Sequence, residues 1–412
     1  MRIIRLDGSP ESVATLVTAV AAALQGGPAV LPLGPAAPAR IPTPGSANHP
    51  TQDRSAGRTT GRAHRTAAVQ TAHGVPDAPP VCTAGLLVAT SGSTGDPRLV
   101  VLPPAALRAS AGATAARLGG PGRWLLALPA DHVAGLQVVV RALLADAPAA
   151  VQDLRDGFRP EGFAAATAGL GPGRRYTSLV PTQLLRLLDA GGAPLDALCS
   201  YDGVLVGGAA LDAGLRVRAE AAGARVVATY GMTETAGGCV YDGVPLDGVQ
   251  VRIDGDGRIV IGGPTLAAGY LDDPAATAAV FVDGEFRTGD LGRLVNGRLE
   301  VLGRADDAIV TGGEKVAPAA VERVLAAQPG VRAVCVVGLP DPEWGAVVGA
   351  ALVVDDEPEP DRLRSAVRTA LGRAAVPRVL HTVDALPLRG IGKPDRAAVA
   401  RLLAGPRIPR TG

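Results

Sequence analysis

Short apolar runs recur between residues 81 and 240: "GLLVAT", "RWLLALP", "YTSLVP", "GVLVGG" and "ARVVATYG". Each suits a buried strand and each runs into a loop, while "AGLQVVVRALLA" and "PTQLLRLLDA" between them carry apolar positions at helical spacing. Strands alternating with helices predict an α/β fold built on a doubly wound, mostly parallel sheet, with ligands at the carboxyl ends of its strands. From about 244 the texture changes to short strands with tight turns, as in "VQVRIDGDGRIVIGG" and "GEFRTGDLGRLVNGRLEVLG", which predicts a small β-barrel or sandwich. Beyond Arg304, "VAPAAVERVLAAQPGVRAVCVVGLP", "GAALVV", "DRLRSAVRTAL" and "HTVDALP" predict a compact α+β unit. The expected division is therefore a large N-terminal domain, 1–303, with 244–303 as its barrel part, and a smaller α+β C-terminal domain, 304–412.

At the N-terminus "SPES" predicts a helix capped by Ser9 with Pro10 in its first turn. The flanking Asp7 and Glu11 replace the basic run that a signal peptide would need. Between Gly34 and Pro80 there is no Leu and no aromatic residue, and beyond Ala only Ile41, Val69 and Val75 are strongly apolar. Such a segment buries too little surface to offset its ordering entropy, so a mobile loop or linker is expected.

Composition narrows the function classes. A formal net charge of +1 argues against a nucleic-acid surface, which needs clustered basic excess. No window reaches the ~18 apolar residues of a membrane span, so a cytoplasmic protein is expected. Cys82, Cys199, Cys239 and Cys335 share no metal-ligand or CxxC spacing and read as reduced core residues. Only Lys315 and Lys393 are lysines, in a chain with 40 basic residues. Lysine is a compact point charge on a thin stem where arginine is a broad planar fork, so a site that slips one cation between close oxygens favours lysine. Lys393 stands in "LRGIGKPDRAAV", where the local pattern asks for none.

The chemistry-bearing loop "TSGSTGDPR" directly follows the run "GLLVA". Gly92 and Gly95 allow a tight backbone while Ser91, Ser93 and Thr94 supply hydroxyls, a cradle for phosphate oxygens that is not the Walker pattern. In order and spacing, "TSGSTGDPR", "YGMTET", "RTGDLG", "GRADDAIVTGGEKV" and "GIGKPD" resemble the successive core motifs of the adenylate-forming superfamily: acyl-CoA synthetases, luciferases and peptide-synthetase adenylation domains. The resemblance covers roughly residues 82 to 400.

It implies a two-step reaction with ATP, Mg²⁺ and CoA. A carboxylate attacks the α-phosphate to give acyl-AMP and pyrophosphate, and the CoA thiol then displaces AMP. On this resemblance Thr90, Ser91, Gly92, Ser93, Thr94 and Gly95 would hold the β- and γ-phosphates. Tyr230 would offer a face to adenine, Thr233 a bond to phosphate and Glu234 an oxygen ligand to Mg²⁺. Asp290 would accept the ribose hydroxyls and Arg304 would reach the ribose or phosphate, with Gly208 and Gly231 completing the nucleotide set. Asp306 would be the hinge that swings the small domain between half-reactions. Gly312 and Gly313 would line the pantetheine tunnel, and Lys393 would bridge the attacking carboxylate and the α-phosphate. Arg98 stands where the superfamily usually has lysine, and Lys315 receives no role.

Three stretches, "YGMTETAGGCVYDGVPLDGVQVRI", "SLVPTQLLRLLDA" and "PADHVAGLQVVVRALL", are similar to the short actinobacterial-type 2-succinylbenzoate–CoA ligases, as is the opening "GGPAVLPLGP". His132, Thr182, Gln183, Gly207, Gly208, Gly237 and Gly238 are then candidates for the acid pocket, with a gating or packing role for His132 equally open. No arginine for the second carboxylate can be singled out. The chain lacks a stretch found at the start of longer relatives, so some substrate or dimer contacts made there are in doubt. The expected partners are a small carboxylic acid, ATP and CoA, and a homodimer is compatible. The alternatives are a ligase for another aryl or fatty acid, and a nucleotide-binding protein without turnover.

Overall fold

A computed structural model describes residues 1–35, 85–90, 98–355, 359–389 and 393–405, with 388, 389, 393 and 394 described by backbone alone. The expected linker thus falls outside the described residues except at 34 and 35, as do Cys82 and the loop 91–97.

Ser9 caps helix α1 (Pro10–Leu24), its hydroxyl accepting from the Ser12 N–H at 3.2 Å, as the sequence predicted. Strands β1 (Arg2–Arg5) and β2 (Val30–Leu33) flank α1 and open a five-stranded sheet, β1-β2-β3-β4-β14, completed by β3 (Leu86–Ala89), β4 (Leu99–Leu102) and, from far along the chain, β14 (Gly269–Tyr270). "GLLVAT", expected in the doubly wound sheet, is β3 and lies here instead. The reason is local: β3 and β4 pair antiparallel, Thr90 donating to the Arg98 carbonyl at 2.9 Å, and so short a return cannot make the crossover that parallel pairing needs.

The doubly wound sheet holds seven strands in the order β11-β10-β9-β8-β7-β5-β6. They are β5 (Arg123–Leu126), β6 (Ala150–Val151), β7 (Arg175–Leu179), β8 (Gly203–Val206), β9 (Val226–Met232), β10 (Gly237–Tyr241) and β11 (Val244–Pro245). All pairs are parallel except those made by β10, which folds back on β9. Helices α1, α2 (Pro104–Arg117) and α3 (Val133–Leu144) fill the space towards the first sheet in one apolar cluster. Helices α4 (Pro160–Ala168), α5 (Pro181–Ala190), α6 (Gly192–Cys199) and α7 (Ala213–Ala221) cover the other face. Burial on both faces explains why these strands read as continuous apolar runs.

The segment with hairpin signals forms an antiparallel sheet of β12 (Gln250–Ile253), β13 (Arg258–Gly262), β15 (Phe281–Val282), β16 (Glu285–Val295) and β17 (Arg298–Arg304), interrupted by helix α8 (Pro274–Val280). The α+β part that follows has a hairpin of β18 (Ile309–Thr311) and β19 (Glu314–Val316), then helix α9 (Pro318–Ala326), and a sheet of β20 (Val331–Asp341), β21 (Gly345–Val354) and β22 (Val379–Thr382). Helix α10 (Pro360–Leu371), a hairpin of β23 (Leu388–Arg389) and β24 (Lys393–Pro394), and helix α11 (Arg396–Ala404) complete it. Among the described residues no helix is long and apolar enough to cross a membrane.

Candidate active site

The loops after β5, β7, β8 and β9 enclose a cavity of ≈ 520 Å³ at the carboxyl ends of the parallel strands, where such sheets bind ligands. Its walls are Leu128, Pro129, Val133, Leu179, Val180, Leu205 and Met232, mainly apolar, with Ala89 at the end of β3. Helices α3 and α5 both begin at its rim, His132 and Val180 being their caps, so two helix N-termini bias it towards anions. Of the predicted residues His132, Gln183, Gly207, Gly208, Gly231, Thr233, Gly237 and Gly238 line it.

Two glycines are required by close approach. A Cβ on Gly231 would stand 2.1 Å from the Gly237 carbonyl oxygen, because β9 and β10 cross there backbone to backbone. A Cβ on Gly207 would stand 2.3 Å from the Thr229 hydroxyl. Gln183 is committed to the scaffold: its Oε1 accepts from the Val180 N–H at 3.0 Å and its Nε2 donates to the Ala127 carbonyl at 2.9 Å, which ties α5 to β5. Thr182, expected at the pocket, is instead exposed on the first turn of α5 and is not part of the lining. One residue further along a helix turns the side chain about 100° away from the face Gln183 presents.

His132 Nδ1 lies 3.1 Å from Asp131 Oδ1. The Asp131 hydrogen bond holds the imidazole above its ordinary value against the opposing effect of burial. For Asp131, burial favours protonation, but the His132 bond and charge and the Gly34 N–H together bring its carboxyl below the usual range. Gly34 fits so closely that a Cβ there would meet Asp131 Oδ2 at 2.1 Å.

Beside the cavity, the Tyr230 hydroxyl donates to Asp290 Oδ2 at 2.9 Å, and the other Asp290 oxygen lies 3.5 Å from Arg304, which in turn reaches Asp306 at 3.6 Å. Burial and the Asp290 charge push the Tyr230 phenol up, so it stays a donor. Glu234 Oε1 accepts from the Tyr270 hydroxyl at 2.9 Å, and the Arg98 guanidinium lies 5.4 Å over the Tyr270 ring. The first two motifs, through Arg98 and Glu234, are thus joined at one tyrosine of β14. Thr90 is described, with its N–H on Arg98; the remainder of the predicted phosphate cradle, Ser91 to Gly95, lies outside the described residues.

In the α+β part, Gly312 and Gly313 form the β18–β19 turn with φ of 56° and 84°. Gly312 also packs on Trp344, whose ring carbon would be 2.7 Å from a Cβ there. Lys315 Nζ lies 3.7 Å from Asp256 in the turn between β12 and β13, both groups exposed, an ion pair of little energetic weight. Lys393 sits on β24 opposite Arg389. Its hairpin is anchored on both sides of the following turn. The Asp395 N–H donates to the Pro387 carbonyl at 2.8 Å, the Asp395 carboxylate caps α11, and Arg396 makes a forked pair with Glu322 of α9 at 2.7 and 3.1 Å.

Arg141 and Gln137 were not anticipated. Both are buried on α3 and line the cavity, at 6% and 0% exposure. Arg141 has no carboxylate partner among the described residues: its Cζ lies 5.0 Å over the Trp124 ring, Nη2 is 3.4 Å from the Tyr241 hydroxyl, and Nε has no partner. Burial brings its pKa down from the ordinary value. The available signal was a Gln and an Arg four positions apart within the apolar run "LQVVVRALL", hence on one face of a buried helix. The buried thiols of Cys239 and Cys335, pushed up by burial to about 12 and about 11, are core groups and not nucleophiles.

Residues 63–271 match the AMP-binding enzyme family and residues 320–393 the AMP-binding enzyme C-terminal domain. The chain is 49% identical over 326 residues to a protein of Mycobacterium tuberculosis named "Probable 2-succinylbenzoate--CoA ligase", covering 78% of this chain and 85% of the relative. It is similar to the Bacillus subtilis o-succinylbenzoate CoA synthetase solved with its acyl-adenylate intermediate, at 29% identity and TM-score 0.64, over 77% of this chain and 69% of that one. The same enzyme solved with ATP and magnesium ion gives 29% identity and TM-score 0.63, over 76% and 69%. With its motifs in order, its large α/β part and its small α+β part, the chain belongs to the AMP-binding, adenylate-forming enzyme family.

Proposed function

We propose that this chain is an ATP-dependent acid–CoA ligase that converts 2-succinylbenzoate, ATP and CoA to 2-succinylbenzoyl-CoA, AMP and pyrophosphate through an acyl-adenylate. The relatives support the reaction class and the acid. The observation on this chain that carries the acid is Arg141. A guanidinium buried at a cavity wall without a counter-charge is costly unless a ligand supplies one. An acid with a second carboxylate does so while its other carboxylate reacts. The cavity size, within the roughly 300–1,000 Å³ of small-molecule sites, suits such a ligand. Pyrophosphate release measured across a panel of aryl, fatty and dicarboxylic acids tests the reading. A response confined to acids lacking the second carboxylate would replace the substrate.

In this mechanism the acid lies along α3 with its ring carboxylate at Arg141 and its succinyl carboxylate towards Thr233. Tyr230 and Asp290 position the nucleoside, and Arg304 contributes charge beside Asp290. Glu234 fits as a Mg²⁺ ligand, since its carboxylate is held by Tyr270 and a single carboxylate plus substrate oxygens is the usual donor set for this ion. The ion, when bound, neutralises phosphate charge. Lys393 brings its ammonium between attacking carboxylate and α-phosphate, stabilising charge as it builds. Asp306 then serves as the hinge, and the turn at Gly312 and Gly313 faces the pantetheine arm in thioester formation. ATP and CoA as co-substrates fit a cytoplasmic setting.

A further inference from the structure

The hairpin tip between β9 and β10, Thr233 to Ala236, carries the residues assigned above to phosphate and Mg²⁺. Six non-glycine residues among those described have left-handed φ; five are Asp or Asn, which tolerate it, and the sixth is Ala236 at φ 49° and ψ 41°. Nothing in its own side chain supports that conformation. Within the turn the Ala236 N–H donates to the Thr233 carbonyl at 3.1 Å and the Thr235 hydroxyl to the Gly237 carbonyl at 2.8 Å, and from outside it two helices add support. The Ala236 carbonyl accepts from Gln137 Nε2 at 2.7 Å and from Ser110 Oγ at 3.0 Å, and both side chains are fully buried, on α3 and α2. Two donors on one carbonyl oxygen fix the peptide plane, and with it the direction in which the preceding turn points.

We infer that Ser110 and Gln137 are positioning residues that clamp the Ala236 carbonyl and thereby hold Thr233 and Glu234 in their binding orientation. This rests on the proposed roles of those two residues. Neither clamp residue touches nucleotide or metal; each acts through the strained alanine. Because the conformation costs Ala236 its backbone preference, loss of one clamp lets the tip relax away from the phosphates. A glycine at 236 removes that bias, since it populates the left-handed region freely.

The test uses the full-length enzyme with Ser110→Ala, measuring acyl-adenylate formation against Mg²⁺ concentration, and separately thioester formation from supplied acyl-adenylate. The expected result is an increase of about 5-fold in the Mg²⁺ needed for half-maximal adenylation, the scale of one lost hydrogen bond. Thioester formation should stay within about 2-fold of the parent, since no pyrophosphate leaves in that step. Adding Ala236→Gly should recover most of the loss, which a merely structural serine would not explain. Ser110→Cys, nearly isosteric with a weaker donor, gives a graded version should the alanine variant fold poorly. An unchanged Mg²⁺ dependence in a folded Ser110→Ala enzyme, equal loss of both half-reactions, or no recovery by glycine each overturns the clamp. Glu234→Gln serves as the control: if it leaves the Mg²⁺ dependence unaltered, the assignment of the tip itself fails and not the clamp.

Discussion

Replacing Arg141 by methionine removes a guanidinium while keeping an unbranched side chain of similar length, so the space on α3 stays filled. In the free protein the change should cost little. The guanidinium has no carboxylate to lose, and the Tyr241 hydroxyl keeps its bond to Thr114 at 2.9 Å. What is forfeited is the stacking on Trp124, about 0.5–2 kcal/mol, against relief of a buried charge, for which apolar replacement is often neutral or stabilising by about 1–4 kcal/mol. Thermal stability should therefore hold or rise. Binding of the acid should move the other way. A hydrogen bond to an ionised carboxylate is worth about 1.5–3 kcal/mol, which is roughly 10- to 150-fold in KM for 2-succinylbenzoate. The decisive comparison is with 4-oxo-4-phenylbutanoate, the same acid without its ring carboxylate. The parent enzyme should prefer 2-succinylbenzoate strongly in pyrophosphate release, and Arg141→Met should treat the two nearly alike. If the variant keeps the parent's preference, Arg141 does not meet the ring carboxylate and the argument for the acid falls.

Lys393→Arg should lower acyl-adenylate formation by about 10²-fold or more, the scale of a lost transition-state charge, while sparing thioester formation from supplied acyl-adenylate; equal loss of both would remove the bridging role. Glu322→Gln leaves Arg396 without its forked carboxylate, and after discounting for its partial exposure this should loosen α11 by on the order of 1 kcal/mol, seen as faster amide exchange from Arg396 to Ala404. Unchanged exchange would show that Asp395 and the Arg396 bond to the Val336 carbonyl hold this end without the carboxylate. For Asp131 and His132 the signs differ. The raised His132 contributes stability that is fully present below pH 6.5 and lost as pH rises through its folded value, while the lowered Asp131 contributes above pH 3.8. Asp131→Asn should thus flatten the fall in melting temperature as pH rises above 6.5, by a small amount because the His132 side chain is 67% exposed despite its partial desolvation; identical slopes in both proteins would dismiss the pair.

The strands and helices of the doubly wound sheet were legible because burial on both faces leaves unbroken apolar runs, and "PTQLLRLLDA" and "AGLQVVVRALLA" fall on α5 and α3. Which sheet a strand joins was not legible. β3 is an apolar run like β8 of the doubly wound sheet, LLVA against GVLV, yet its partners are β2, β4 and, through β4, a strand at 269, and pairing at such range leaves no period in the chain. The motif loops could be located by their Gly, Ser and Thr content, but the direction of a side chain on a helix could not: Thr182 and Gln183 are neighbours, one exposed and the other spent on backbone. Arg141 was hidden for the opposite reason, since an arginine within an apolar helix looks like an exposed interruption until the partner layer is known. Its lack of a counter-charge is a statement about space, not about sequence.

Every residue that walls the acid cavity falls between Ala89 and Tyr241, whereas the lysine assigned to the reacting centre lies at 393 and its tethers at 322 and 396. The lysine proposed to bridge the reacting groups is therefore written apart from the acid cavity, whereas Thr233, proposed to meet the phosphate, stands in the cavity wall itself. A descendant could take up a different acid through a few changes along α3 that spare Gln137, without altering the segment that carries Lys393.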